Sequence, residues 1–398
     1  MDSPDSKGKA GPKGKTLPLM EARVGFSGRC STVCTSIEAR SLSPRTVISP
    51  LRNKVAITST NSQLVTLQFQ VPTKCLRRSR AGKVFATLQT ADRKAELLAE
   101  LKPGQIQEFH QLPSGLKLEV IVQNADNDSR RKQTPLVFIH GSMHAAWCWA
   151  FRWMPFFSAR GYDCHAISFL GHGASDVPQG PVAGTLESHA EDIAHFIKSN
   201  FSIPPVLIAH SFGGLVTQRY LSSVGTVENW NAEGKLLPRP AGVVLACSTP
   251  PTGNGPMVMR FLKRDFGASL KITLGFAAKM IGTSISMCRD CLFSQDFPET
   301  ELKEYMALMK KSSRIPILDV RNISKSLPVP RPPEDAPPCL VLHAENDYVV
   351  DSEGSEETAE WCRTKLVVVP EIAHDLMLDT QWEDAAMVVN SWLEEHFL

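Results

Sequence analysis

Val206-Leu207-Ile208-Ala209-His210-Ser211-Phe212-Gly213-Gly214-Leu215 is the stretch from which the rest of the chain can be read. An apolar run meets a serine with small flanking residues, and an apolar helical pattern follows. This is the layout of a nucleophile elbow, in which a strand turns sharply into a helix and presents a serine at the apex. The turn forces unusual backbone angles, so the residues two places either side of the serine must be small. They are Ala209 and Gly213. Strings of this form also arise by chance, so the reading depends on finding a histidine, an acid and an oxyanion hole in the right order.

Outward from the elbow, strand and helix patterns alternate. Ile106–His110 and Leu116–Gln123 read as two strands joined at Pro113-Ser114-Gly115. Leu136–Ile139 is a short unbroken apolar run of the kind a strand buried on both faces requires. Ala145–Ala159 is expected as a helix, Tyr162–Phe169 as a strand, Glu187–Asn200 as a helix and Ala241–Cys247 as a strand. Leu340–His343 and Lys365–Val369 supply two more strands, and Trp382–Phe397 a closing amphipathic helix. Repeated units of this kind predict an α/β fold with one mostly parallel sheet and helices on both faces. Between Pro250 and Pro338 the alternation stops and only helical patterns remain. The expected organisation is therefore a leader over 1–90, a first core segment over 91–250, a helical cap over 251–337 and a second core segment over 338–398. Met257, Met259, Phe261, Leu262, Phe266, Leu274, Phe276, Met280, Ile281 and Met306 make the cap apolar. Most are expected to pack it onto the core, and a minority to line a greasy pocket.

A serine hydroxyl needs a base within hydrogen-bond reach and a third group to orient that base. His374 follows the Lys365–Val369 strand by a short loop, which places it on the same sheet edge as Ser211. Asp347 follows the Leu340–His343 strand and is the expected acid, with Glu345 and Asp351 as nearby competitors. Two backbone N–H groups are expected to form the oxyanion hole, that of Phe212 after the nucleophile and that of Ser142 after His140-Gly141. His140 reads as a brace for that loop. His374 and Asp379 also fit an H-x4-D acyltransferase string, which is read as coincidence because His374 already has a role.

The order serine, acid, histidine resembles that of α/β-hydrolase-fold serine hydrolases, from about Gln105 to the C-terminus. His140-Gly141-Ser142-Met143-His144-Ala145-Ala146-Trp147-Cys148-Trp149 is similar to the H-G-x-x-H-G-A-W-x-W stretch of plant methylesterases and their hydroxynitrile-lyase relatives, departing from it at Ala145. Gly171-His172-Gly173-Ala174-Ser175 resembles the G-x-G-x-S loop common in the fold. The resemblance implies hydrolysis of a carboxylic ester of a lipophilic small molecule or lipid through an acyl-enzyme. It disfavours epoxide hydrolysis, where the elbow carries aspartate, and cyanohydrin cleavage, where threonine stands in place of Gly141. Acyl transfer or thioester cleavage on the same residues, and a non-catalytic small-molecule receptor, are the alternatives.

Composition sets the remaining bounds. Of 398 residues, 42% are hydrophobic, enough for a large core, and a net charge of +2 gives no reason to expect nucleic acid as a partner. Ten cysteines without a regular framework suggest scattered reduced thiols. The single C-x-x-C, Cys288-Arg289-Asp290-Cys291, lacks the second ligand pair of a zinc site, so no metal or other cofactor is expected. Residues 1–90 are basic, rich in Ser and Thr and poor in acids, the composition of a transit peptide, and Ser/Thr richness favours a chloroplast address. The most apolar later run, Ile272–Met287, is interrupted by Lys279 and is too short to span a bilayer.

Overall fold

In the computed structural model the chain divides into two units, Met1–Gly82 and Lys83–Leu398. The residues described are 101–126, 131–225, 236–264, 280–319 and 323–397, together with two short strands of the first unit. Those strands, Ala56–Ser59 and Val65–Gln68, pair antiparallel in a leader where the sequence gives no strand periodicity. Residues 91–100, at the start of the expected first core segment, lie outside the described residues.

The second unit is built on eight strands. They are β1 (Gln105–Gln111), β2 (Lys117–Gln123), β3 (Leu136–Ile139), β4 (Cys164–Ile167), β5 (Val206–His210), β6 (Gly242–Ala246), β7 (Cys339–Ala344) and β8 (Leu366–Val369). Their order across the sheet is β8-β7-β6-β5-β3-β4-β2-β1. β2 pairs antiparallel with β1 and β4, and every other pairing is parallel. β3, β5 and β6 are buried at every position, which is why their sequences are apolar except for His210 at the end of β5. Alternate residues serve opposite faces. Phe138, Ile208 and Val244 enter one core cluster, while Val137, Leu207 and Val243 enter the other.

Helices cover both faces. α3 (Leu186–Asn200) and α4 (Phe212–Leu221) pack on one, and α9 (Trp382–Phe397) belongs to the other. The single helix expected over 145–159 is instead two short ones, α1 (Trp147–Ala150) and α2 (Trp153–Ser158). Pro155 is the reason: without an N–H it is tolerated in a first turn and breaks an interior, so the chain restarts at Arg152 with φ −133°.

Between β6 and β7 lie α5 (Asn254–Arg264), a 3₁₀ turn at Met280–Gly282, α6 (Ile285–Leu292) and α7 (Glu299–Ser312). Residues 265–279 of this segment are outside the described residues. α7 is fastened to the core by aromatic contact and hydrogen bonding. Tyr305 sits 5.9 Å from Trp147 and 5.3 Å from Phe151, and Trp147 Nε1–H donates to Ser312 Oγ at 2.9 Å. The Gly171–Asp176 loop holds the end of the same helix, since the Gly173 N–H donates to the Ser312 carbonyl and Arg314 reaches the Ser175 carbonyl. After β7 the chain forms α8 (Ser352–Cys362), which sequence periodicity does not announce.

Candidate active site

The elbow takes the strained form its sequence requires. Ser211 sits between β5 and α4 with φ 53° and ψ −121°, held by its N–H donating to the Ala246 carbonyl at 3.1 Å. Its flanks have no room for larger groups. A Cβ on Gly213 would come within 3.0 Å of the Ile139 carbonyl oxygen, and one on Gly141 within 2.8 Å of Ser211 Cβ. Ala209 is fully buried in the parallel core.

The carboxyl ends of three strands bring Ser211, Asp347 and His374 together. His374 Nε2 lies 3.0 Å from Ser211 Oγ, and its Nδ1 lies 2.8 Å from Asp347 Oδ2. Asp347 Oδ1 also accepts the N–H groups of Val349 and Val350 at 2.7 and 2.9 Å. Burial works to raise the Asp347 pKa, but His374 beside it and these N–H donors outweigh burial and hold the carboxyl below its ordinary value. The two competing acids are occupied elsewhere. Asp351 N-caps α8 and is gripped by Arg260 through two 2.6 Å bonds, while Glu345 accepts the Glu371 N–H.

Phe212 is the first residue of α4, so its N–H has no acceptor within the helix. The Ser142 N–H, in the loop after β3, makes no hydrogen bond among the described residues. The next residue, Met143, has φ 66°, a left-handed turn that reverses the chain. His140 braces the base of this loop: Nε2 accepts the Phe169 N–H at 3.0 Å and Nδ1–H donates to the Gly141 carbonyl. Burial, followed by the nearby His172, holds His140 well below its usual pKa, so it is neutral.

Three further residues crowd the site and were not legible as participants. His210 Nε2–H donates to the His374 carbonyl at 2.9 Å, and burial followed by His374 lowers its pKa to about 3. His144 and Asp375 meet at 2.9 Å although 231 positions apart. The available signals were adjacency to Ser211 and His374, which their spacing alone does not distinguish from coincidence.

Asp379 is consumed by structure. It accepts from the Ala373 N–H at 2.8 Å, from Ser294 Oγ at 2.7 Å and from the Ser294 and Thr380 N–H groups. The H-x4-D string thus marks a clamp on the histidine loop. Metal-type donor sets do surround His374, with Cys247 and Asp347 on one side and His210 and Asp375 on the other. Both His374 nitrogens, however, are already within hydrogen-bond reach of Ser211 and Asp347. Cys288 and Cys291 are buried free thiols of α6. Among the described residues, no helix is long and apolar enough to cross a membrane.

Beside the elbow lies an apolar cavity of about 450 Å³, lined by Phe212, Leu215, Asn254, Ile323, Leu327 and Pro328 among others. Its walls come from the elbow helix and the segment returning from the cap. Several of the apolar residues of the segment between β6 and β7 pack onto the core, as most of them are expected to. Ile281 and Met306 are core, Met257 is buried, and Met259 and Met280 face solvent. Phe266, Leu274 and Phe276 lie outside the described residues.

Sheet order and elbow define a hydrolase of the α/β class. Residues 136–388 match the family model described as alpha/beta hydrolase family, and the chain belongs to that family. Locally it is similar to methylesterase 1 of Arabidopsis thaliana, 32% identical over 93 residues, which is 22% of this chain and 34% of that protein. It is also similar to norfluorocurarine synthase 1 of Strychnos nux-vomica, 32% identical over 91 residues, 22% of this chain and 32% of that one. The matched region thus spans about a third of each relative's length. Among solved structures, a monoglyceride lipase from Saccharomyces cerevisiae superimposes with a TM-score of 0.53 at 17% identity, covering 75% of this chain and 97% of that one. The Exiguobacterium antarcticum esterase gives 0.51 at 18%, covering 73% and 100%. At these identities the structures speak for the fold alone.

Proposed function

We propose that the protein is a serine hydrolase that cleaves a carboxylic ester of a lipophilic small molecule or lipid. The observation that carries this reading is the chain of contacts Ser211–His374–Asp347, with lengths of 3.0 and 2.8 Å, at the mouth of a parallel sheet. Ser211 Oγ attacks the ester carbonyl carbon as its proton passes to His374 Nε2. Asp347 accepts the Nδ1–H bond, fixing the tautomer and stabilising the imidazolium that forms. Negative charge on the former carbonyl oxygen is met by the N–H groups of Phe212 and Ser142. His374 then returns the proton to the departing alkoxide, leaving an acyl-serine. Water, deprotonated by the same histidine, attacks the acyl carbon and releases the acid and free Ser211.

The apolar cavity beside Phe212 supports a lipophilic acyl or alcohol group. The similarity to a protein named methylesterase makes methyl esters the first alcohol portion to try. The test is labelling by a fluorophosphonate probe, followed by a chain-length series of p-nitrophenyl esters. Labelling of the wild type and not of Ser211→Ala, with turnover rising toward longer acyl chains, is the expected result. A folded protein that neither labels nor turns over any ester would overturn the reading.

A further inference from the structure

The residues of the proposed triad account for one histidine and one carboxylate at the site, and a second such pair lies buried beside them. His144 is 2% exposed and Asp375 wholly buried. His144 Nε2 lies 2.9 Å from Asp375 Oδ2, and its Nδ1 lies 2.9 Å from the carbonyl oxygen of Ser142. We propose that His144, as a doubly donating imidazolium held by Asp375, is a positioning residue that fixes the Ser142 peptide of the oxyanion loop. This rests on the hydrolase reading above.

The argument begins with a proton count. A carbonyl oxygen can only accept, and so can an ionised carboxylate. A neutral imidazole carries one N–H and can satisfy only one of the two, so the pair holds one extra proton. Burial alone would strip it from His144. Asp375 more than offsets that and raises the histidine pKa, and His144 in turn holds the Asp375 carboxyl below its ordinary value. The proton therefore belongs on the ring.

The titratable neighbours include His374, within hydrogen-bond reach of Ser211 and Asp347, and Cys247, whose thiol pKa is raised by burial first and by Asp347 next, so it stays protonated. His140 and His210 are both held neutral and add no competing positive charge. Cys148 and Cys288 have their thiol pKa values raised by burial first and by Asp375 second, so both stay protonated. His210 Nε2 is 3.8 Å from Asp375 Oδ1, too long for a hydrogen bond, which leaves His144 as the carboxylate's close side-chain partner.

The consequence for the loop is geometric. Met143 is already in a left-handed conformation, which a residue other than glycine holds only when its surroundings enforce it. Tying the Ser142 carbonyl to His144 sets the plane of the Ser142–Met143 peptide. The Ser142 N–H belongs to the preceding Gly141–Ser142 peptide, whose carbonyl is held by His140 Nδ1–H at 2.7 Å, so with a bond on each side the turn at Ser142 between the two peptides is fixed and the N–H direction with it. Asp375 anchors this arrangement from the far side, its own N–H donating to the Leu292 carbonyl at 2.9 Å.

The deciding measurement is heteronuclear NMR of the wild-type protein with labelled histidine, which needs no substrate. Two N–H resonances on the His144 ring near neutral pH, reduced in Asp375→Asn, are expected. A single N–H on that ring would overturn the proposal whether or not the protein is a hydrolase. Kinetics then tests the positioning role. His144→Phe should lower kcat about a hundredfold with KM nearly unchanged, the size of losing one oxyanion donor. It should also erase an alkaline fall in kcat that the wild type shows as His144 loses its proton. Wild-type kcat and an unchanged pH profile in a folded His144→Phe would overturn the positioning role. Absence of ester turnover in the wild type would instead strike at the hydrolase reading, with the ring resonances still deciding the pair.

Discussion

Gly141→Ala is the most direct probe of how the oxyanion loop and the elbow are fitted together. The added Cβ would stand 2.8 Å from Ser211 Cβ and 2.9 Å from His210 Nδ1. Non-bonded carbon atoms prefer about 3.5–4.0 Å, so one of the two backbones must move by more than half an ångström or so. His210 is pinned at Nε2 by the His374 carbonyl, and Ser211 is fixed by its bond to Ala246. Overpacking of this kind costs about 1–3 kcal/mol, against which the stiffer unfolded chain returns about 0.4–1 kcal/mol. The net loss, about 1.3 kcal/mol at the middle of these ranges, corresponds to a melting temperature lower by roughly 3–5 °C in a large domain. Displacing the nucleophile by a fraction of an ångström toward 1 Å should slow Ser211 acylation by up to about 10²-fold. Calorimetry and fluorophosphonate labelling rates measure the two effects separately. A variant that melts with the wild type and labels at its rate would refute the packing argument. The same crowding predicts that Gly141→Thr, which introduces the residue found in the resembling lyases, fails through collision rather than altering the chemistry.

Other consequences can be tested alongside. Asp347→Asn removes the acceptor that fixes the His374 tautomer, and ester turnover should fall by about 10⁴-fold. Because Asp347 is held below its ordinary value in the folded state, its stabilising contribution is present above the unfolded pKa and lost as pH falls through the folded one. Acid unfolding should therefore become less steep in that variant. His210 behaves in the same direction for a different reason: it folds neutral, with its pKa lowered from 6.5 to about 3. Stability should decline progressively as pH drops from 6.5 toward 3, and His210→Gln should flatten that stretch of the urea-unfolding pH profile. Glu119, buried under the Gly171–Asp176 loop, accepts from Ser168 Oγ at 2.7 Å and the Ala174 N–H at 2.9 Å. Glu119→Ala strands both donors and should cost about 1–3 kcal/mol for each, read as a lower chemical-denaturation midpoint.

The fold was legible wherever burial left a simple pattern. β3, β5 and β6 sit between neighbours on both sides, so their runs are apolar but for His210 at the end of β5, and Ser211, Asp347 and His374 could be placed because each comes shortly after an apolar strand, β5, β7 and the edge strand β8 in turn. α8 was hidden because, apart from Trp361, its buried face is made of Gly354, Ser355, Thr358 and Ala359, which carry little hydrophobic signal. The division between α1 and α2 turns on one proline inside an otherwise continuous apolar pattern. His144 and Asp375 could not be paired in advance, because hydrogen bonding across 231 positions leaves no local periodicity. The cap's apolar residues were recognisable as such, but which of them face a cavity depends on docking angles that composition does not encode.

The bonds from α6 to the histidine loop carry a consequence for how such an enzyme can diversify. Leu292 accepts from Asp375, and Ser294 gives both its N–H and its hydroxyl to Asp379, so the loop bearing His374 is built partly out of cap residues. A segment grafted here from a relative would bring new walls while severing these bonds, and with them the support of the loop that carries His374. Specificity and reactivity are not interchangeable modules in this architecture. Under the proposed function, variation in substrate choice would be freest at the start of α5 and in the segment returning to β7, which line the cavity without taking part in the α6 bonds to the histidine loop.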